Sequence, residues 1–206
     1  MSSYPSSPSL ARLKAQPRRP GEASFFYHES RFGLDAVKLL PGEWFVHDED
    51  ILLATTLGSC IAACLWDRNA RIGGMNHFML PEGDSDSGRY GSFAMDLLIN
   101  ELLKRGAAGQ TLEAKIFGGG QVIEGMVSIN VGERNTAFVL DYLRTERIPV
   151  VSKDVLETFP RKVAFLPASG KAMVKRLASA HSDALVAQER AAPPRPPASG
   201  RPADLF

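Results

Sequence analysis

The stretch from Cys60 to His77 constrains the fold more than any other part of this 206-residue chain. Two apolar runs, residues 60–66 and 71–77, flank a short polar connection built on Asp67-Arg68-Asn69-Ala70. Such a pattern reads as a β-hairpin, with Asn69 as the residue tolerant of positive φ. With Arg68 and Asn69 at the tip, Asp67 faces Ala70, Trp66 faces Arg71 and Cys60 faces His77. Opposed residues in an antiparallel pair share a face, with Cβ atoms about 4.5–5.5 Å apart. A thiol and an imidazole then meet. The competing arrangement is a helix beginning at Cys60, favoured by Ala62 and Ala63, whose dipole would itself activate the thiol. The hairpin is preferred because Trp66-Asp67-Arg68-Asn69 holds no helix stop.

A cysteine acts as a nucleophile only as its thiolate, so a base within hydrogen-bond reach is the partner it needs. Gly58-Ser59 permits a sharp turn just before Cys60, able to aim backbone N–H groups at a developing oxyanion. Against this stands the common fate of a free cysteine, a small buried core residue. His77 alone would equally read as a structural histidine at a strand end. Both readings stand on the residues alone. Cys64 shares the face of Cys60 without such a setting and reads as structural. A third residue must orient the imidazole; Thr55, Thr56 and Asn76 are near, although Asn76 points to the opposite face from His77.

Other constellations fall away. Cys60 and Cys64, four apart on a strand, sit roughly 13 Å apart, too far for a disulfide or for one zinc ion with His77 and His47. The run Asp84-Ser85-Asp86-Ser87-Gly88 lacks the acidic twelfth position of a calcium loop, which is Met95. Gly118-Gly119-Gly120 lacks the Gly-Lys-Ser/Thr of a phosphate loop; it is either a strand-to-loop turn or a place where backbone approaches a substrate closely. No metal and no cofactor is expected.

Composition sets the remaining bounds. With 44% apolar and 23% charged residues the chain suits one soluble domain. A net charge of +1 makes no case for nucleic acid or a membrane surface. Residues 1–24 carry Arg12, Lys14, Arg18 and Arg19 against Glu22, so the excess positive charge is terminal. No apolar run approaches the ~18 residues of a membrane span, so no membrane insertion is expected. Free thiols fit a reducing cytoplasm. Nine of the fourteen prolines lie in residues 1–24 and 187–206. They mark residues 1–24 and 181–206 as disordered tails around a domain at 25–180, with Pro5, Pro8, Pro17 and Pro20 breaking any helix in the first.

Within the domain, strands are expected at 35–40, 43–47, 51–56, 113–117 and 148–151, with a last hairpin from 162–166 and 171–177. One helix is expected from a cap at Ser92 to about Arg105, and another from a cap at Asn135 to Arg144. The fold class is α+β: a single-domain layered α/β sandwich with mixed, largely antiparallel sheets and two main helices.

Six blocks between Glu43 and Leu177 resemble one family. They are Thr-Leu-Gly-Ser-Cys60, Gly-Gly-Met-Asn-His-Phe-Met-Leu-Pro81, Lys-Ile-Phe-Gly-Gly119, Asn-Val-Gly-Glu-Arg-Asn135, Ile-Pro-Val-Val151 and Arg-Lys-Val163. In this order they are similar to the chemoreceptor glutamine deamidase family, CheD. The resemblance implies hydrolysis of glutamine side-chain amides on the cytoplasmic helices of chemotaxis receptors, and in some members hydrolysis of receptor glutamyl methyl esters. It implies an α/β sandwich like the catalytic domain of cytotoxic necrotizing factor toxins, with Cys60 as nucleophile, His77 as base and a threonine, Thr55 or else Thr56, as third residue. Gly58, Ser59, Gly118 and Gly119 are the candidates for oxyanion or substrate binding. The implied partners are receptor cytoplasmic domains and a CheC-type phosphatase; the protein itself is expected to be a cytoplasmic monomer. The chain departs from the family pattern at Gly120, where alanine is common, and at Thr158-Phe159-Pro160, which replaces a Gly-rich approach to Arg161-Lys162. The alternatives from other classes are a cysteine peptidase or transamidase and a non-catalytic receptor- or phosphatase-binding adaptor.

Overall fold

The structure is a computed structural model that describes residues 8–80, 87–121 and 131–178. In chain order the elements are α1 (Pro8–Ala15), β1 (Phe25–Glu29), β2 (Leu34–Lys38), β3 (Trp44–His47), β4 (Leu52–Leu57), β5 (Ile61–Asp67) and β6 (Ile72–Phe78). Then come α2 (Ser87–Lys104), β7 (Leu112–Gly118), α3 (Val131–Thr145), β8 (Val150–Val155), β9 (Arg161–Leu166) and β10 (Lys171–Arg176). The strands form two five-stranded sheets, β1-β2-β4-β9-β10 and β3-β6-β5-β7-β8. Neighbours are antiparallel except β2–β4 and β7–β8. This is the mixed, largely antiparallel α+β architecture expected.

Side-chain alternation fixes the layers. Ile61, Ala63 and Leu65 of β5 join Met95, Leu98 and Leu102 of α2 and Val139 and Leu143 of α3 in one buried cluster. Ala62 and Cys64 turn the other way, joining Leu53, Val163 and Phe165 of the first sheet. The order is helices, second sheet, first sheet. β5 is covered on both faces, which is why it reads as a continuous apolar run with no alternation.

The first segment corrects the sequence reading. Residues 1–24 are expected as a disordered tail, but Pro8–Ala15 is a helix that packs on the domain. Leu10 and Leu13 are buried in the inter-sheet cluster. Pro8 occupies the first helical position, where its missing N–H costs no bond, and Pro17 and Pro20 follow the helix end. The prolines delimit the helix rather than break it. Ala23 N donates to Trp44 O at 2.9 Å and Trp44 N to Gly21 O at 3.0 Å, so the segment continues along the edge of β3. The expected C-terminal tail at 181–206, with His181, lies outside the described residues.

Both helices begin earlier than their expected caps. Ser92 lies inside α2 and Asn135 inside α3. Gly91 weakens the start of α2 as a helix by propensity. It is packed so tightly, however, that a Cβ there would stand 2.4 Å from Phe138 and 2.6 Å from Leu80. Tertiary contact therefore overrides local preference at that end.

Candidate active site

β4 belongs to the first sheet and β5 to the second, so the chain crosses between sheets at Gly58-Ser59-Cys60. Cys60 stands at that crossing, fully buried. The hairpin forms as expected, but its register differs: Ile61 faces Phe78, Ala62 faces His77 and Asp67 faces Ile72. The turn spans residues 68–71, and the positive φ falls on Arg71 at 55° rather than on Asn69. The cause is Asp67, whose Oδ1 accepts from Asn69 N at 2.8 Å and Ala70 N at 3.2 Å and so closes the ladder early. The ladder is displaced by two residues, an even number, so every side chain keeps its face. Cys60 and His77 are therefore diagonal rather than direct neighbours. Diagonal neighbours within a ladder lie roughly 7–8 Å apart, with Cβ atoms somewhat closer, and Cys60 stands one residue beyond the last pair.

Thr55 on β4 and His77 on β6 both point between the sheets, and both are buried. Thr55 Oγ1 donates to Leu39 O at 2.9 Å and lies 2.8 Å from His77 Nδ1. A hydroxyl has one proton, so at the imidazole it accepts, which places the ring proton on Nδ1 and the lone pair on Nε2. Thr56, the alternative third residue, is half-buried on the other face of β4. The His77 main chain is pinned as well: its N donates to Glu43 O at 2.9 Å and its O accepts from Gly42 N at 2.7 Å.

The carbonyls of the crossing are all held. Gly58 O accepts from Gly120 N at 2.8 Å, Ser59 O from Asn135 Nδ2 at 2.8 Å and Cys60 O from Gly119 N at 2.8 Å. Across a planar trans peptide the N–H points opposite to the preceding carbonyl. The Ser59 and Cys60 N–H groups are thus directed away from Gly120 and Asn135. Gly118 and Gly119, expected as possible substrate contacts, lie against the crossing itself. A Cβ on Gly118, at φ 111°, would stand 2.0 Å from Cys60 O. Only glycine fits there.

Three residues that sequence reading gave no place in the site gather around it. Arg161, fully buried at the start of β9, donates through Nη1 to Gly118 O at 2.6 Å and through Nη2 to Leu156 O at 2.5 Å, with Nε 3.0 Å from Asp154 Oδ1 as an ion pair. It clamps the end of β7, and Phe159 of the departing Thr158-Phe159-Pro160 lies 5.2 Å from its guanidinium. Tyr90 has its hydroxyl 3.9 Å from where a Cβ on Gly42 would be. Burial raises its phenol above the ordinary value, and negative charge on the nearby Cys60 adds to this. Asn135, expected as a helix cap, instead bridges two loops. None of the three has a local pattern that would announce its role.

The remaining candidates separate out. Burial pushes the Cys64 thiol far up, with Lys115 opposing only in part, so Cys64 stays protonated at neutral pH. Asn76 turns to the helix side, accepting from Ala63 N at 3.2 Å and donating to Ala94 O at 3.1 Å. No group of three metal-binding side chains occurs among the described residues.

The family described as CheD chemotactic sensory transduction matches residues 79–176. A relative from Albidiferax ferrireducens, named probable chemoreceptor glutamine deamidase CheD 1, is 60% identical over 95% of this chain and 86% of its own length. The chain belongs to the CheD family. A second CheD relative, from Dechloromonas aromatica and of the same name, is 54% identical over 79% of this chain and 84% of its own. A third, the probable chemoreceptor glutamine deamidase CheD of Methylobacillus flagellatus, is 48% identical over 85% and 90%. Among solved structures, the Bacillus licheniformis hypothetical protein YfiH matches at 13% identity and a TM-score of 0.35, over 56% of this chain and 49% of that one. That likeness is too slight to carry an argument.

Proposed function

We propose that this CheD-family protein hydrolyses glutamine side-chain amides to glutamate on the cytoplasmic helices of chemotaxis receptors, with Cys60 as nucleophile, His77 as base and Thr55 as the residue that orients the base. The observation that carries the reading is the Thr55–His77 hydrogen bond across the two sheets. It holds the imidazole in the tautomer whose Nε2 can take a thiol proton, beside the crossing that bears Cys60.

In the reaction, His77 Nε2 takes the Cys60 proton and the thiolate attacks the glutamine Cδ. The tetrahedral oxyanion is held by the Ser59 and Cys60 N–H groups, opposite the tethered carbonyls. Protonated His77 gives its proton to the departing nitrogen; the C–N bond breaks, ammonia leaves and a thioester remains. Neutral His77 then deprotonates water for attack on the thioester, and the returned proton restores the thiol. A glutamyl methyl ester would follow the same path with methanol leaving. No step calls for a metal or a cofactor. Cys60 is buried, so a substrate side chain reaches it only as the covering atoms move aside. The work belongs in the cytoplasm, where those receptor helices lie.

The test is incubation with purified receptor cytoplasmic fragments, read by mass and by released ammonia. A one-dalton gain at discrete glutamines, lost in Cys60→Ala, is the expected result. Unchanged substrate would overturn the reading, and cleavage or cross-linking would move the protein to the peptidase or transamidase class.

A further inference from the structure

We propose that Asn135 is the positioning residue that sets the nucleophile loop against the strand carrying the base. The inference rests on the reading of Cys60 and His77 above, and it concerns a side chain that touches neither.

Asn135 is fully buried in α3. Its Nδ2 donates to Ser59 O at 2.8 Å, and its Oδ1 accepts from Leu80 N at 3.0 Å. Ser59 immediately precedes Cys60, and Leu80 lies three residues beyond His77. The β5–β6 ladder ends at the Ile61–Phe78 pair. Beyond that pair the two chains continue toward Cys60 on one side and Leu80 on the other. The carboxamide spans them there, taking over from the ladder where the reacting groups sit.

The demand on the side chain is specific. One end must donate to a carbonyl and the other must accept from an N–H, at the spacing of a single amide. Aspartate keeps the acceptor but sets a second oxygen against Ser59 O; alanine supplies neither. In a buried setting a satisfied polar bridge rigidifies its neighbours, whereas one left half-made costs its full desolvation. The rest of α3 braces the bridge. A Cβ on Gly132 would stand 2.3 Å from Gly119 O, and one on Gly119 would stand 2.2 Å from Thr136 Oγ1. The helix therefore packs without slack on Gly119, whose N–H holds the Cys60 carbonyl, and Asn135 cannot follow a drifting loop.

The experiment uses the full chain with Asn135→Asp, Asn135→Ala and, as a stability control on the same helix, the buried Leu143→Ala. Three readouts are taken below each variant's melting temperature: kcat and KM for deamidation of a receptor cytoplasmic fragment, the rate of Cys60 alkylation by iodoacetamide located by mass, and melting temperature. Both Asn135 variants should lose kcat on the order of tenfold or more, as misplacement of reacting groups predicts, with KM within about twofold. Their Cys60 alkylation should slow together with kcat, while Leu143→Ala keeps both rates. Wild-type rates in the folded Asn135 variants, or the same losses in Leu143→Ala, overturn the proposal. If the wild-type protein does not deamidate the fragment, the functional reading fails and the alkylation comparison alone decides Asn135. If neither Asn135 variant folds, amide exchange in the wild-type protein decides. A strongly protected Leu80 N–H supports the bridge, and one exchanging at the rate of an open loop overturns it.

Discussion

A hydroxyl that gives its only proton to a main-chain carbonyl can do one thing for an imidazole, which is to accept. Thr55 is such a hydroxyl, committed to Leu39 O while it meets His77 Nδ1. Thr55→Ala should therefore lower kcat by roughly ten- to a hundredfold, an orienting loss. Thr55→Ser should retain most of the rate, and Thr56→Ala should be near wild type. Steady-state kinetics on the three variants checks this; a dead Thr56→Ala beside an active Thr55→Ala would reassign the third residue. Cys60→Ala should abolish turnover, by about four orders of magnitude or more, because nucleophile and base act as a unit. Cys64→Ala should leave the rate almost unchanged, since burial holds that thiol protonated. The residue scale is also where sequence reading went furthest. Cys60 and His77 could be singled out as candidates because a thiol and an imidazole advertise their chemistry, whereas Thr55 stood beside Thr56 and Asn76 until the family resemblance favoured it. Asn135 and Arg161 could not, because a buried amide or guanidinium acquires its task from carbonyls that only the folded chain brings to it.

At the scale of elements, α1 carries the clearest consequence. Leu10 and Leu13 enter the inter-sheet core, and Arg18 donates to Leu13 O at 2.7 Å while its guanidinium stands 5.0 Å from the centre of the Phe26 ring. Leu13→Ala should cost about 2–5 kcal/mol, the range for a buried leucine truncation. Removal of residues 1–20 should cost at least as much. Urea unfolding measures both; a truncated protein as stable as the full chain would show that the helix rests on the surface without contributing. The contrast with the expected disordered tail is instructive. Strands β2 to β6 were legible because short apolar runs bounded by turn residues are local signals. The helix at 8–15 was not, because proline counting says where a helix cannot continue and nothing about what its few turns pack against. The hairpin shows the same boundary from the other side. Its existence and its faces follow from pattern, but its register follows from the Asp67 carboxylate capturing turn amides, and one such capture moved the pairing by two.

Two buried carboxylates tie distant parts of the whole molecule together and make its stability depend on acid. Asp67 Oδ2 accepts from Ala108 N at 2.8 Å and Thr111 Oγ1 at 2.7 Å, joining the hairpin turn to the approach of β7. Glu101 of α2 accepts from Lys104 Nζ at 2.8 Å and pairs with Arg19 of the N-terminal segment. Burial by itself would raise both carboxyl groups. The hydrogen bonds of Asp67, and the Lys104 and Arg19 cations beside Glu101, outweigh it and hold both below their ordinary values of 3.8 and 4.5. A carboxyl whose folded pKa is depressed binds protons more weakly in the native state than in the unfolded chain. Its contribution is therefore complete above the unfolded value and lost as pH falls through the folded one. Melting temperature should hold level near neutrality and fall below about pH 5, steepening toward pH 2. Asp67→Asn should lower it at neutral pH, since an amide nitrogen cannot accept, and should flatten the acid limb because one of the two titrating groups is gone. Truncation of residues 1–20 removes Arg19, lets the Glu101 carboxyl rise toward its unfolded value and should make the remaining acid decline smaller. A series of thermal melts across that range, on wild type and both variants, reads all three effects. An acid limb unaltered by Asp67→Asn would show that Asp67 does not carry the dependence.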